Sequence, residues 1–266
     1  MRHVWRQIKQ CVKLIVYPWP ALVFLRRSVG SEYGIGLFRK LKLMRLALFN
    51  GTLDGSASTF AEQLELVRAV LSIPKNLSGS VAEFGCYKGA ATASLSAACA
   101  ACGRMLKVFD SFAGLPEPQE RVTNLTTGAE LQYKAGDLTG TLDEVKRTVQ
   151  SGGDLSVCEF VQGFYDATLP LLDPAQQFVL IFEDADLPES VRSVLTYCWP
   201  RLHDGCIFYC HEARDKEVID LFYDAKFWRE TLKSKSPGFT GSGCGLPLDL
   251  NYSMLGYSVK RNDQRV

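Results

Sequence analysis

The chain has 266 residues, 47% hydrophobic and 22% charged, with a net charge of +1. That is the composition of a folded α/β domain with appendages, and the length excludes a small disulfide scaffold. A core of useful size is easily buried at this length, and the near-neutral total says little about partners.

The charges are unevenly placed. Residues 1–50 hold ten Lys and Arg (Arg2, Arg6, Lys9, Lys13, Arg26, Arg27, Arg39, Lys40, Lys42, Arg45) against one acid, Glu32, so this head carries +9 and the remainder −8. Such asymmetry points to a membrane surface or an acidic partner, or to a solvated leader. Within the head, Leu14 to Leu25 (LIVYPWPALVFL) is apolar for twelve residues, with Pro18 and Pro20 inside it. A bilayer-spanning helix needs about 20 residues. A signal peptide wants small residues where Arg26 and Arg27 stand. Two readings remain: peripheral contact of residues 1–45 with an anionic membrane face, or an arm packed on a neighbouring surface or subunit in a homo-oligomer. The polar break Gly51–Ser58 (GTLDGSAS) divides this basic arm, 1–58, from a domain at 59–266.

From there the elements alternate. Ser58 or Thr59 caps a helix carrying Phe60, Leu64, Val67, Val70 and Leu71 at helical spacing, and Pro74 ends it. Ser80–Phe84 is a predicted strand, Ala90–Ala101 a helix and Met105–Phe109 a strand. Thr141 opens a helix over Leu142–Val149, with Glu144 as the capping-box acid. Leu155–Val161 is a strand. Phe178–Phe182 (FVLIF) is a continuous apolar run of the kind buried on both faces. Ser190–Cys198 is a helix, Cys206–Cys210 a strand, Asp215–Tyr223 a helix and Tyr252–Val259 a final strand. This alternation predicts a mostly parallel sheet with helices on both faces. Ligands of such sheets gather beyond the carboxyl ends of the strands. The nine Cys read as free thiols of a reducing cytosol, and Cys99–Cys102 reads as part of a small-residue helix.

The residues after each strand carry the chemistry. Val81–Thr92 (VAEFGCYKGAAT) lacks the third glycine of a dinucleotide fingerprint and the Lys-Ser/Thr of a Walker loop. An acid, then Gly85, then Gly89 suits a ligand with an ammonium and a compact sulfonium. Gly85 would let the chain approach it, and Glu83 would supply charge to a cationic group or order the loop. A tight turn with no ligand is the alternative. Asp110 ends the second strand where an acid can accept both hydroxyls of a ribose, or cap a helix. Glu120–Gly136 is a polar excursion over the site. Gly163 and Phe164 follow the third strand, with Phe164 either facing an adenine or joining the core. Glu183, Asp184 and Asp186 crowd the end of the fourth, a costly arrangement unless they bind a cation or share a proton. His211–Glu212 follows the fifth. One carboxylate from the fourth strand with His211 and Glu212 would make an N/O set for a divalent ion, Mg²⁺ or Mn²⁺ by its oxygens and Mn²⁺, Fe²⁺ or Zn²⁺ by its histidine, or an acidic rim with one hydrogen-bonded histidine.

In this order the segments resemble S-adenosylmethionine-dependent methyltransferases. They are most similar to the macrocin/mycinamicin O-methyltransferase family, which acts on hydroxyls of sugars. VAEFGCYKGA resembles that family's loop for the methionine part of the cofactor, and VFDSFAGLPEP its ribose segment. FVQGFYDATLP resembles its Gly-aromatic segment, and FEDADLPESVRSVLTYCWPRLHDG its D-x-D-L helix and the run after it. The resemblance implies a Rossmann-like class I fold with a mostly parallel seven-stranded sheet. It implies S-adenosyl-L-methionine as cofactor, held by Glu83, Phe84, Gly85, Cys86, Tyr87, Gly89, Asp110, Ser111, Gly163 and Phe164. It implies a cytoplasmic O-methyltransferase with a glycosyl hydroxyl as small-molecule acceptor and no nucleic-acid partner. Asp184 and His211 are the expected catalytic residues, and Asp184, His211 and Glu212 the metal ligands. Three positions depart from the family pattern. Pro188 replaces a Tyr, His211–Glu212 replaces an adjacent Asp pair that holds Mg²⁺, and Gly205–Cys206 replaces Gly-Gly. They leave open a metal-independent enzyme with His211 as base, or a non-catalytic cofactor-binding relative.

Overall fold

A computed structural model describes residues 18–53, 55–241 and 253–261. Residues 1–17, with four of the head's basic residues and the start of its apolar run, lie outside the described residues, as does Tyr252.

Six strands form one sheet: β1 Ser80–Phe84, β2 Leu106–Asp110, β5 Cys158–Gln162, β6 Phe178–Glu183, β7 Ile207–Cys210 and β8 Gly256–Val259, in the order β5-β2-β1-β6-β7-β8. All pairings are parallel except β7 with β8. β6 is buried at all six positions, as the FVLIF run predicts for a central strand. A seven-stranded sheet was expected, and the described residues supply six. Beside β8 the ladder continues through a single residue pair, Thr240 with Tyr257. β3 Val122–Thr123 and β4 Glu130–Leu131 make a separate small hairpin.

The helices are α1 Trp19–Phe24, α2 Leu37–Asn50, α3 Phe60–Leu71, α4 Ala90–Cys102, α5 Leu142–Gly152, α6 Tyr165–Thr168, α7 Pro188–Cys198, α8 Lys216–Tyr223 and α9 Ala225–Glu230. α3 to α5 pack side by side, and α2 lies against α3 and α4. The chain moves outward from β1 to β2 to β5, then returns to β6 and moves the other way. Right-handed crossovers therefore put α4 and α5 on one face and α7 on the other. The reversal falls between β1 and β6, where such sheets bind ligands.

Local chemistry explains the element ends. Thr59 and Glu62 form a full capping box on α3, and Thr141 and Glu144 one on α5. Pro188, where the family has Tyr, occupies the first turn of α7, a position that wastes no N–H. The third predicted strand loses its first residues to a 3-10 turn, Leu155–Val157, because the Asp154 carboxylate accepts from the Ser156 N–H.

Candidate active site

Hydrogen bonds of the sheet run one step past the strands. Gly85 donates to the Phe109 carbonyl (3.0 Å), Asp184 to Phe84 (2.8 Å), Gly163 to Asp110 (2.9 Å) and His211 to Glu183 (2.9 Å). The loops that follow the five parallel strands are thereby aligned along one edge.

The β1–α4 turn has three left-handed residues, Gly85 (φ 80°), Tyr87 (φ 46°) and Gly89 (φ 82°). A Cβ at Gly85 would lie 2.0 Å from the Asp184 carbonyl. The glycine is therefore demanded by the neighbouring β6 loop, whatever ligand it meets. A Cβ at Gly140 would stand 1.8 Å from the Tyr87 carbonyl, so a second glycine makes room for this turn from outside. Asp110 ties the turn to β2. Its Oδ2 accepts from the Cys86 N–H and its Oδ1 from the Phe112 N–H, both at 2.7 Å. Each oxygen keeps a further lone pair for a ligand.

A cavity of about 320 Å³ opens over these strand ends. Gly85, Tyr87, Asp110, Ser111, Gly163 and Phe164 line it on one side, and Asp184, Ala185 and Asp186 on the other. Phe164 is 42% exposed and so is not a core side chain. Of five non-glycine residues with left-handed backbone among the described residues, Tyr87, Leu138 and Asp186 line this cavity. Strained backbone of this kind gathers where function over-determines the structure. Sequence reasoning missed Leu138, and also Glu189, Ser190 and Ser193 on α7. No local pattern marked these; they arrive by packing. The predicted polar excursion does fold over the site. Thr123 binds the Glu217 carboxylate through its N–H and its hydroxyl, Gln119 donates to Glu189, and the Tyr133 hydroxyl donates to Asp186 at 3.3 Å.

Four expected cofactor residues, Glu83, Phe84, Cys86 and Gly89, do not line the cavity. Glu83 is fully enclosed, and neither carboxyl oxygen has a hydrogen-bond partner. Burial drives its carboxyl well above the ordinary range; the nearby Thr92 hydroxyl offsets this only in part and makes no well-formed bond. Burial disfavours the charged form of Glu83, and its enclosed carboxyl does not reach the cavity.

The acidic cluster has an internal counter-ion. His211 Nδ1 lies 2.9 Å from Asp184 Oδ1, and Nε2 lies 3.6 Å from Glu62 Oε1, an ion-pair rather than a hydrogen-bond distance. Burial opposes a charged imidazole, but Asp184 and Glu62 together hold its pKa well above the ordinary value. Glu62 answers in kind. Burial opposes its ionisation, yet His211 and the Thr59 N–H bring it down to about 2. Glu62 also accepts from the Thr59 N–H (2.6 Å) and the Met254 N–H (2.8 Å). The remaining acids share protons. Burial raises Glu183 to about 7, and burial with neighbouring carboxylates lifts Asp186 and Glu212 well above their usual range.

The donors expected to hold a divalent ion do not converge. Both ring nitrogens of His211 face carboxylates, Asp184 at 2.9 Å and Glu62 at 3.6 Å. Among the described residues the group whose donor atoms approach one another is Glu183, Cys210 and Glu212, all buried and none lining the cavity. There the Cys210 thiol sits 3.3 Å from Glu183 Oε2 and 3.1 Å from Glu212 Oε2.

A parallel sheet with a ligand cavity at its reversal point, an acid ending β2 and an acid–histidine pair beyond β6 and β7 define a Rossmann-like methyltransferase site. The family model described as macrocin O-methyltransferase (TylF) matches residues 59–224, and the chain belongs to that family of S-adenosylmethionine-dependent O-methyltransferases. Solved structures of similar fold include the O-methyltransferase NovP, 17% identical, covering 85% of this chain and 98% of its own, with a TM-score of 0.61. The calicheamicin methyltransferase CalS11 is 17% identical over 83% of this chain and 92% of its own, TM-score 0.52. Cofactor-bound Rv0187 from MTB is 18% identical over 83% and 90%, TM-score 0.50. No curated protein sequence matches the chain.

Proposed function

We propose that this enzyme methylates a hydroxyl of a sugar or a glycosylated metabolite, with Asp184 as proton acceptor and protonated His211 as the positive charge of the site. The family's action on sugar hydroxyls supports the acceptor class. The observation that carries the mechanism is the His211 imidazole held between Asp184 at 2.9 Å and Glu62 at 3.6 Å.

The cavity fits S-adenosylmethionine. Asp110 lines the cavity and keeps a lone pair on each carboxylate oxygen for a ligand's hydroxyls, Phe164 offers an exposed ring for a base, and the Gly85–Tyr87 turn brings backbone to the cavity edge. Bound there, S-adenosylmethionine supplies an electrophilic methyl group to an attacking oxygen. Asp184 accepts a hydrogen bond from the acceptor hydroxyl and takes its proton as the oxygen is methylated. His211 fixes the orientation of Asp184, because its Nδ1–H is committed to Oδ1 and leaves Oδ2 for the acceptor. An imidazolium cannot itself remove a proton, so the base role expected of His211 passes to Asp184. Glu62 holds the far side of the ring and keeps the positive charge in place. His211 stands where the family pattern has an acid that helps hold Mg²⁺, and a fixed cation there does the electrostatic work of an ion. The seven described cysteines are free thiols, which supports a reducing compartment such as the cytoplasm.

The test is methyl transfer to sugar-nucleotide and glycoside acceptors before and after dialysis against EDTA. Activity is expected to survive stripping. Loss of activity on stripping and its return with Mg²⁺ or Mn²⁺ would show that a metal, not His211, supplies the charge.

A further inference from the structure

The active site leaves one surface unexplained. Of eleven large hydrophobic side chains exposed among the described residues, five lie between positions 19 and 41: Trp19, Leu22, Leu37, Phe38 and Leu41. Phe38 is 90% exposed. Apolar clustering of this kind marks a binding surface.

α2 cannot turn these residues inward. Its opposite face carries Lys40, Leu43, Ala47 and Asn50, all buried. Lys40 Nζ donates to the Arg26 carbonyl at 2.6 Å, and Asn50 Nδ2 donates to Ser94 Oγ and the Gly152 carbonyl, both at 3.0 Å. Helical spacing puts Phe38, Leu41, Lys42 and Arg45 together on the outward side. On α1, Trp19 and Leu22 are one turn apart, and the Arg26 guanidinium stands 5.6 Å from the Trp19 ring.

The charge of this surface selects its occupant. Arg26, Arg27, Arg39, Lys42 and Arg45 are all exposed, and the one acid nearby, Glu32, accepts from the Lys75 N–H. A second copy docking by the same face would set these cations against their own counterparts. An anionic bilayer presents phosphates to the cations and an apolar layer beneath to the leucines and aromatics. We propose that the outward face of α1 and α2, centred on Phe38, Leu41, Lys42 and Arg45, docks on an anionic lipid surface. No helix among the described residues is long and apolar enough to cross a membrane, so the contact is peripheral.

The part of the head around Tyr33 is anchored away from the cavity. Arg104, just before β2, donates to the Tyr33 hydroxyl and to the Pro74 and Leu77 carbonyls. These groups lie at the amino ends of the strands, whereas the cavity lies at the carboxyl ends. Docking thus leaves the active site open to solvent, and lipid binding is separable from methyl transfer.

The experiment is co-sedimentation of the full chain with vesicles of phosphatidylcholine alone, or of phosphatidylcholine with about a quarter phosphatidylglycerol. Binding is expected to the anionic vesicles and not to the neutral ones. Lys42→Gln with Arg45→Gln should lower the partition by about 25-fold, at about fivefold per cation removed. Phe38→Ser should lower it by about tenfold. All three positions are exposed, so unchanged melting temperature and unchanged methyl transfer separate lost docking from unfolding. The proposal falls if neutral and anionic vesicles bind alike, if these variants bind as the parent does, or if the parent is a dimer that Phe38→Ser dissociates.

Discussion

The Nδ1 of His211, just past β7, stands 2.9 Å from the Oδ1 of Asp184, just past β6. The parallel pairing of β6 and β7 creates this contact across 27 positions of sequence by ending the two strands side by side. The two carboxylates beside this buried ring, Asp184 and Glu62, hold its pKa well above the ordinary value.

Asp184→Asn keeps the shape of the side chain and removes its charge. The turnover number is expected to fall by about 10²–10⁴-fold, the usual contribution of a positioned base. Cofactor binding, read by calorimetry, should persist because the turn around Gly85 and the Asp110 anchor are untouched. Undiminished turnover would rule out Asp184 as the proton acceptor.

Glu62→Gln removes the second carboxylate of His211 and leaves a buried cation half-paired. Breaking a buried pair in this way costs about 3–5 kcal/mol. The His211 pKa, followed by NMR of the ring, should drop, since Glu62 is one of the two groups that raise it. An unmoved pKa would mean that Asp184 alone sustains the charge.

Gly85→Ala tests the packing of the turn. Its Cβ would fall 2.0 Å from the Asp184 carbonyl, and the backbone there is left-handed. Overlap with backbone has no cheap relief, so the expected loss is about 2 kcal/mol or more, seen in urea unfolding. Gly103→Ala has a left-handed φ of 65° but open space around it, and should cost less.

The stability profile with pH has two limbs. Burial raises the Glu183 carboxyl from 4.5 to about 7. The folded chain therefore holds a proton that the unfolded chain releases. Its contribution is complete below about pH 4.5 and is lost as pH rises through about 7, a fall of roughly 3 kcal/mol. Glu62 behaves in the opposite way. With its pKa lowered to about 2, it stabilises above the unfolded value and loses that contribution as pH falls toward 2. Glu183→Gln should flatten the neutral limb of urea-unfolding free energies and leave the acid limb intact. An unchanged neutral limb would place the proton elsewhere in the cluster.

Much of the fold was legible because strands and helices of this class carry their periodicity locally. Ser80–Phe84 was read to the residue, FVLIF emerged as the most buried strand, and Thr141 with Glu144 capped the helix expected of them. The site was legible in outline, since ligands gather past strand ends and the sequence names the residues there. Its charge states were not. Glu83 reads in the sequence as charge for a cationic group or as ordering the loop, and its carboxyl is enclosed away from the cavity, with burial raising its pKa. Glu62 is not singled out in the sequence, yet it reaches His211 across 149 positions. No local pattern encodes that contact, because α3 meets the end of β7 only after the sheet has formed.

The succession of strands and helices along the chain and the acids and glycines beyond the strands follow from the amino-acid sequence, since each depends on neighbours a few residues apart, and the alternation in turn implies mostly parallel pairing. Tertiary structure alone decided that His211 stands between Asp184 and Glu62, which hold its pKa well above the ordinary value. A pKa depends on burial and on charges within a few ångströms, and those distances exist only once β6, β7 and α3 are packed together.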